Sequence, residues 1–99
     1  MITKGIYSAT CSILNDDYSL NIEATISHAA KSIDNGLHGA IFFGSTGQSQ
    51  LISISEKKDL ISKISNHKLK KQFFLGTGCN SLKETIDLIK YGFEYGFTD

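Results

Sequence analysis

An α/β fold is predicted for this chain: three βα units with parallel strands, as in the first three units of a (β/α)8 TIM barrel. Three observations predict it. Short apolar runs alternate with helical stripes in the order strand, helix, strand, helix, strand, helix. The units recur about every 33 residues, close to the roughly 31 expected when about 250 residues form eight units. The second and third strands are apolar on successive residues, which suits a parallel sheet buried on both faces. A period in this range also suits a solenoid, but these units share architecture and not residues.

Each element has a local reason. Residues 5–10, Gly-Ile-Tyr-Ser-Ala-Thr, read as a short strand, and Asn15-Asp16-Asp17 is turn chemistry. Asn21 is placed to cap a helix whose stripe is Ile22, Ile26, Ala29, Ala30 and Ile33. Asn35-Gly36 ends it, with glycine suited to the left-handed position after a helix. A second strand follows over 39–43. Ser53-Ile54-Ser55-Glu56 is a capping box, and Leu60, Ile61 and Ile64 give the second helix its apolar face. Residues 66–71 form a polar, lysine-rich connection, read as a solvated loop. The third strand spans 72–75. Ser81-Leu82-Lys83-Glu84 has the spacing of another capping box, followed by a stripe of Leu82, Ile86, Ile89 and Phe93 that Gly96 can terminate.

Composition narrows the function classes. Ten lysines balance ten acidic residues, so there is no net charge to favour nucleic acid or an anionic membrane. Arginine is absent, which disfavours phosphate or carboxylate recognition by a guanidinium fork. No apolar run approaches the roughly 20 residues of a membrane span, and no signal core follows Met1. Cys11 and Cys79 lie far apart without metal spacing and read as reduced thiols of a cytoplasmic protein. The stretch around Cys79 offers no neighbouring basic residue to activate it. His28 and His38 read as packing or surface residues, and His67 as a solvated loop residue. Tyr91 and Tyr95 are spaced to share a helix face.

The most informative stretch is Gly44-Ser45-Thr46-Gly47-Gln48-Ser49, where the second strand gives way to a helix. Glycines allow a sharp turn and close backbone approach, and successive N–H groups in such a turn form a concave anion site. There is no lysine in it and no Gly-x-x-x-x-Gly-Lys-Ser/Thr spacing, so a small carboxylate fits better than a nucleotide phosphate. Such a turn serves equally to cap a helix. Thr10 to Ser12, Gly44 to Ser49 and Gly76 to Asn80 all follow strand C-termini. In a parallel sheet these clusters converge on one edge, where α/β proteins place ligands. Phe97-Thr98-Asp99 reads as the approach to a fourth strand. Residues 1–99 are thus expected to be an N-terminal fragment of one barrel domain, cut before strand 4. Its open edges and apolar faces predict poor solubility or oligomerisation when isolated.

Gly44-Ser45-Thr46-Gly47 and Gly76-Thr77-Gly78-Cys79-Asn80, on successive strands, resemble the Gly-Thr/Ser-Thr-Gly-Glu and Gly-Thr-Gly-x-Asn motifs of the dihydrodipicolinate synthase and N-acetylneuraminate lyase family. Gly5, Ala9 and Glu56 match as well, and the resemblance covers essentially the whole chain. It implies a (β/α)8 barrel and a Schiff-base (class I) aldolase or lyase acting on pyruvate or a related 2-oxo acid, with no cofactor and no metal. It further implies a homo-oligomer, a tetramer by resemblance. Ser45 would be the catalytic hydroxyl of the proton relay. Thr46 would bind the substrate carboxylate through its hydroxyl and N–H, and Gly47 would complete the substrate-binding turn. Asn80 and Glu84 match positions bordering a lysine-inhibitor site in some synthases, but Ile54 and Lys57 stand at two others, so no feedback inhibition is expected. The family's Glu is Gln48 here, and its Thr-Pro after the first strand is Ser12-Ile13.

By the same resemblance, the Schiff-base lysine and catalytic tyrosine belong to later strands, outside this sequence, and the fragment alone is expected to be inactive. None of the ten lysines reads as lying in a buried strand, the setting that activates an amine. Two alternatives stand beside this reading. Gly76-Thr77-Gly78 before a helix is similar to the start of a dinucleotide-binding Gly-x-Gly-x-x-Gly, although Ser81 replaces the third glycine. The other is a non-catalytic remnant or interaction module.

Overall fold

A computed structural model describes residues 2–99. Strands β1 (Tyr7–Ala9), β2 (Gly39–Phe42) and β3 (Phe73–Leu75) alternate with helices α1 (Ile22–Asp34), α2 (Ile54–Ile64) and α3 (Leu82–Glu94). The strands pair in parallel in the order β1-β2-β3, with Tyr7 opposite Gly39 and Ala40 opposite Phe73. This is the architecture of three successive units of a (β/α)8 barrel.

The helix boundaries follow from capping chemistry. Asn21 Oδ1 accepts the Ala24 N–H at 3.0 Å and starts α1. Ser53 and Glu56 form the complete reciprocal box at α2. At α3 only half of the expected box forms: Ser81 Oγ accepts the Glu84 N–H, without the return bond from Glu84. Gly36 and Gly96, with φ of +110° and +88°, turn the chain after α1 and α3. Lys70, from the connection read as solvated, donates to the Tyr95 carbonyl at 2.6 Å, placing a cation at the C-terminus of α3.

Glu56 has a second task. Its Oε2 accepts the Leu20 N–H at 2.5 Å, tying α2 to the turn before α1. The Leu20 bond first, then the Ser53 hydroxyl, hold its carboxyl below the ordinary 4.5. A lowered carboxyl stabilises the fold above the unfolded value, and that contribution is lost as pH falls through the folded value. Glu56→Gln is expected to cost about 1 kcal/mol at neutral pH, a partly solvated, charge-assisted bond being worth less than a buried one. In urea titrations the gap between the two proteins should close as pH falls below 4.5.

The core lies between the helices and one face of the sheet. Ile26, Ala29, Ile33, Ala40, Phe42, Phe43, Leu60, Ile64 and Phe73 form one buried cluster. Exposed ion pairs, Lys63–Glu23 and Lys58–Asp87, both at 2.7 Å, link α2 to its neighbours and add little. The expectation of a sheet buried on both faces is met on one face only. Ile41 is 37% exposed, and Ala9, on the same face, is exposed too. The helices pack on the Ala40–Phe42 side, leaving Tyr7, Ala9, Ile41 and Phe74 uncovered by any helix. On that face the Tyr7 ring lies over Gly39 and meets the Phe74 ring edge-on at 5.5 Å.

The stripe expected on α3 is also corrected. Leu82, Ile86 and Phe93 are exposed, whereas Leu88 and Gly92 are buried. The buried line runs through a glycine that counts for nothing in a hydrophobic pattern. A Cβ at Gly92 would stand 3.5 Å from the Leu75 Cδ1, an ordinary contact distance, so this line of α3 faces the end of β3.

Candidate functional site

Phe43 follows the last residue of β2 and is buried, yet its backbone is left-handed, φ 61°. A bulky residue there is strained, at a cost of about 1–3 kcal/mol that the surrounding packing must offset. The kink turns the chain out of the sheet and into Gly44-Ser45-Thr46-Gly47. Gln48 is left-handed too, φ 53°, and a short 3-10 turn, Ser49–Leu51, leads on to α2.

Two glycines in these loops are required by proximity. A Cβ at Gly47 would stand 2.8 Å from the Thr10 carbonyl oxygen and 3.2 Å from the Phe43 nitrogen. One at Gly76 would stand 2.5 Å from the Phe43 carbonyl oxygen. Backbones of three loops therefore touch, as expected for clusters that share the C-terminal edge of a parallel sheet.

Side chains fasten the contact. Ser12 Oγ, after β1, donates to the Gly47 carbonyl at 2.6 Å. Ser49 Oγ donates to the Gly78 carbonyl at 3.1 Å, joining the loops after β2 and β3. Gly76 N–H donates to the Phe42 carbonyl at 2.7 Å. Lys57, in the first turns of α2, is 2% exposed and donates to Ser49 Oγ at 2.9 Å. Its Nζ is also 3.8 Å from Cys79 Sγ. Thus Cys79 does have a basic neighbour, contrary to the local sequence, because α2 delivers it from 22 residues away. Ser12 and Ser49 lie in the clusters expected at this edge, whereas Lys57 stands outside all three of them. Lys57 had a legible signal, standing three, four and seven residues before the buried Leu60, Ile61 and Ile64.

The framework leaves a set of donors free. Ser45 and Thr46 are exposed, while Gly47 is buried beneath them. Among the described residues, the Ser45, Thr46 and Gly47 N–H groups and the Ser45 and Thr46 hydroxyls donate no hydrogen bond within the chain. Nearby, the Thr10 hydroxyl is the buried side-chain polar group without a partner among the described residues. Such a set is suited to an anionic oxygen, since charge-assisted bonds from fixed donors are the strong ones. The loop after β3 is organised differently: Cys79 N–H is taken by Thr85 Oγ1 at 3.0 Å, and Asn80 is exposed.

Other candidates fall elsewhere. His28 and His38 are exposed, and His38 Nδ1 accepts the Ile6 N–H. His67 is half-buried, accepting the Leu69 N–H and packing on Phe73, where a solvated loop residue was expected. The Tyr91 and Tyr95 rings meet at the end of α3, tilted by 42° with centroids 4.9 Å apart. A concavity of about 510 Å3 beside the start of β3, lined by Lys70, Phe73 and Phe97 among others, contains none of the candidate residues. Among the described residues there is no cluster of three or more metal-ligating side chains, and no helix long and apolar enough to cross a membrane.

The Dihydrodipicolinate synthetase family profile matches residues 2–98. An uncharacterised DapA-like lyase of Pyrococcus furiosus is 30% identical over 93 residues, spanning 94% of this chain and 31% of that protein. The N-acetylneuraminate lyase of Haemophilus influenzae is 33% identical over 97 residues, spanning 95% of this chain and 33% of the relative. In structure, the N-acetylneuraminate lyase of Fusobacterium nucleatum superposes with a TM-score of 0.82 at 32% identity, over 95% of this chain and 33% of that one. An E. coli K12 prophage protein of the dihydrodipicolinic acid synthase family, solved with pyruvate, reaches 0.83 at 24% identity over 98% of this chain and 33% of that one, a likeness of fold. The chain spans about a third of the length of the curated relatives it matches.

Proposed function

The chain belongs to the dihydrodipicolinate synthetase family, and from that premise we propose that it supplies the carboxylate cradle of a Schiff-base aldolase or lyase acting on pyruvate or a related 2-oxo acid. The observation that carries this reading is the run of uncommitted donors at Ser45, Thr46 and Gly47, held at the strand edge by Ser12 and Ser49. Thr46 binds one carboxylate oxygen through its hydroxyl and N–H, and Gly47 lets the backbone lie close. Ser45 gives the relay hydroxyl. A 2-oxo acid held by its carboxylate presents its keto carbon in one orientation, and orientation is a large part of the barrier to be overcome.

In this chemistry an amine attacks the keto carbon, water leaves, and the resulting iminium accepts the electron pair of the broken carbon–carbon bond. On this reading no lysine among these residues serves as that amine. Lys57, though buried, sits on a helix and is engaged by Ser49. The 99-residue chain is therefore expected to be inactive alone, and oligomerisation and cytoplasmic location are carried over from the resemblance as proposals.

Borohydride trapping with pyruvate, read by intact mass, tests this directly. The 99-residue chain should gain no adduct. If the reading frame continues into a complete barrel, that longer protein should gain one pyruvate equivalent. Stoichiometric trapping on a lysine of residues 2–99 would overturn the assignment. In the longer protein, Thr46→Val keeps the shape and removes a donor, and should weaken the 2-oxo acid by about 1–3 kcal/mol in a binding titration. Unchanged affinity would remove the Thr46 hydroxyl from the site. A reduced nicotinamide cofactor, the ligand of the dinucleotide-binding alternative, should not bind.

A further inference from the structure

The buried amine of Lys57 and the half-buried thiol of Cys79 form a nucleophile pair behind the run of donors at Ser45, Thr46 and Gly47. Lys57 Nζ has as its contacts Ser49 Oγ at 2.9 Å, Cys79 Sγ at 3.8 Å and the Phe43 ring, 5.9 Å to the centroid. Among the described residues no carboxylate lies within ion-pair distance of it. Burying an amine away from water is costly, and among the described residues its hydrogen bonds go to Ser49 and Cys79 alone. Cys79 Sγ is held facing this amine: its thiol donates to the Thr77 carbonyl at 3.6 Å and its N–H is fixed by Thr85. Solvent reaches Cys79, while Lys57 lies inside. Of the two residues, Cys79 is the more accessible to a small oxidant.

We propose that Lys57 and Cys79 are a peroxide-responsive pair, in which the oxidised thiol is captured by the lysine amine and covalently locks α2 to the loop after β3. The chemistry balances with hydrogen peroxide as oxidant. The Cys79 thiolate attacks peroxide, the O–O bond breaks, an S–O bond forms and hydroxide leaves. Lys57 Nζ, after releasing a proton, attacks the sulfenic sulfur; the N–S bond forms, the S–O bond breaks and the oxygen leaves as water. Thiol, amine and peroxide thus become a sulfenamide and two waters, with sulfur oxidised and the peroxide oxygens reduced. Two equivalents of an added thiol reverse it: the first opens the N–S bond, returning the amine, and the second releases the Cys79 thiol with a disulfide of the reductant. The pair stands independently of the aldolase reading.

The test uses the protein as expressed, with Cys11→Ser to remove the other, exposed thiol. After hydrogen peroxide its intact mass should fall by about 2 Da, the two hydrogens lost in forming N–S. Peptide mapping should then find Lys57 and Cys79 in one linked species that dithiothreitol separates. Lys57→Arg keeps the charge and removes the primary amine. In that variant dimedone should trap the sulfenic acid, and further peroxide should drive Cys79 to the sulfinic acid, about 32 Da heavier. Should Lys57→Arg fail to fold, the mapped link in the parent protein decides alone. A folded parent protein whose Cys79 stays reduced, stops at the sulfinic acid or forms a disulfide overturns the proposal. So does a folded Lys57→Arg protein that still loses the 2 Da.

Discussion

Gly76→Ala is expected to destabilise the protein by about 3–4 kcal/mol, the sum of an overpacking cost and one lost buried hydrogen bond. The new methyl would stand 2.5 Å from the Phe43 oxygen, 2.9 Å from its carbonyl carbon and 3.2 Å from the Phe42 oxygen. All three are backbone atoms, so no side-chain rotation relieves the clash. The end of β3 must move away from β2, which breaks the Gly76 to Phe42 bond. Gly78→Ala is the matched control: its methyl meets nothing within 4 Å, and its effect should stay within about 0.5 kcal/mol. Urea midpoints at unchanged slope measure both. Equal effects at the two positions would mean that close approach is not what demands glycine at 76.

Leu60→Ala should cost about 3–5 kcal/mol, the range for emptying a buried leucine site that cannot collapse. Leu60 has no exposed surface and sits in the cluster that joins α2 to the sheet. The neighbouring Lys57 gives a sharp contrast on the same stripe. Lys57→Met preserves most of the volume, and Ser49 retains its bond to Gly78, so the change should stay below about 1.5 kcal/mol. Thermal or urea unfolding of the pair distinguishes a helix anchored by hydrocarbon from one anchored by its buried charge.

Much of the fold is legible because its causes are local. Asn21, Ser53 and Ser81 each accept an N–H of the first helical turn they precede. The strand–helix spacing then leaves few arrangements for three parallel strands. The choice between rival faces of α3 is not local. Leu82, Ile86 and Phe93 make as good a stripe as the one buried, and only the space between α2 and β3 selects Leu88 and Gly92. The candidate site divides in the same way. Gly44 to Ser49 stands out by composition. The bonds that shape it, from Ser12 to Gly47 and from Ser49 to Gly78, span 35 and 29 residues and have no signature in either partner's neighbourhood. The left-handed backbone of Phe43 is equally silent, since no propensity favours it and tertiary packing imposes it.

That residue has a consequence for affinity. The Phe43 ring is buried in the core while its backbone sets the exit of the loop, so the same packing that stabilises the domain also fixes where Ser45 and Thr46 begin. The conformational entropy of ordering this turn is lost when the protein folds, and little remains to be lost when a small anion arrives. On the proposed reading, a ligand with only a few polar atoms binds usefully because the freedom of its cradle was removed beforehand, by the packing of a neighbouring residue that offers the ligand no polar side chain.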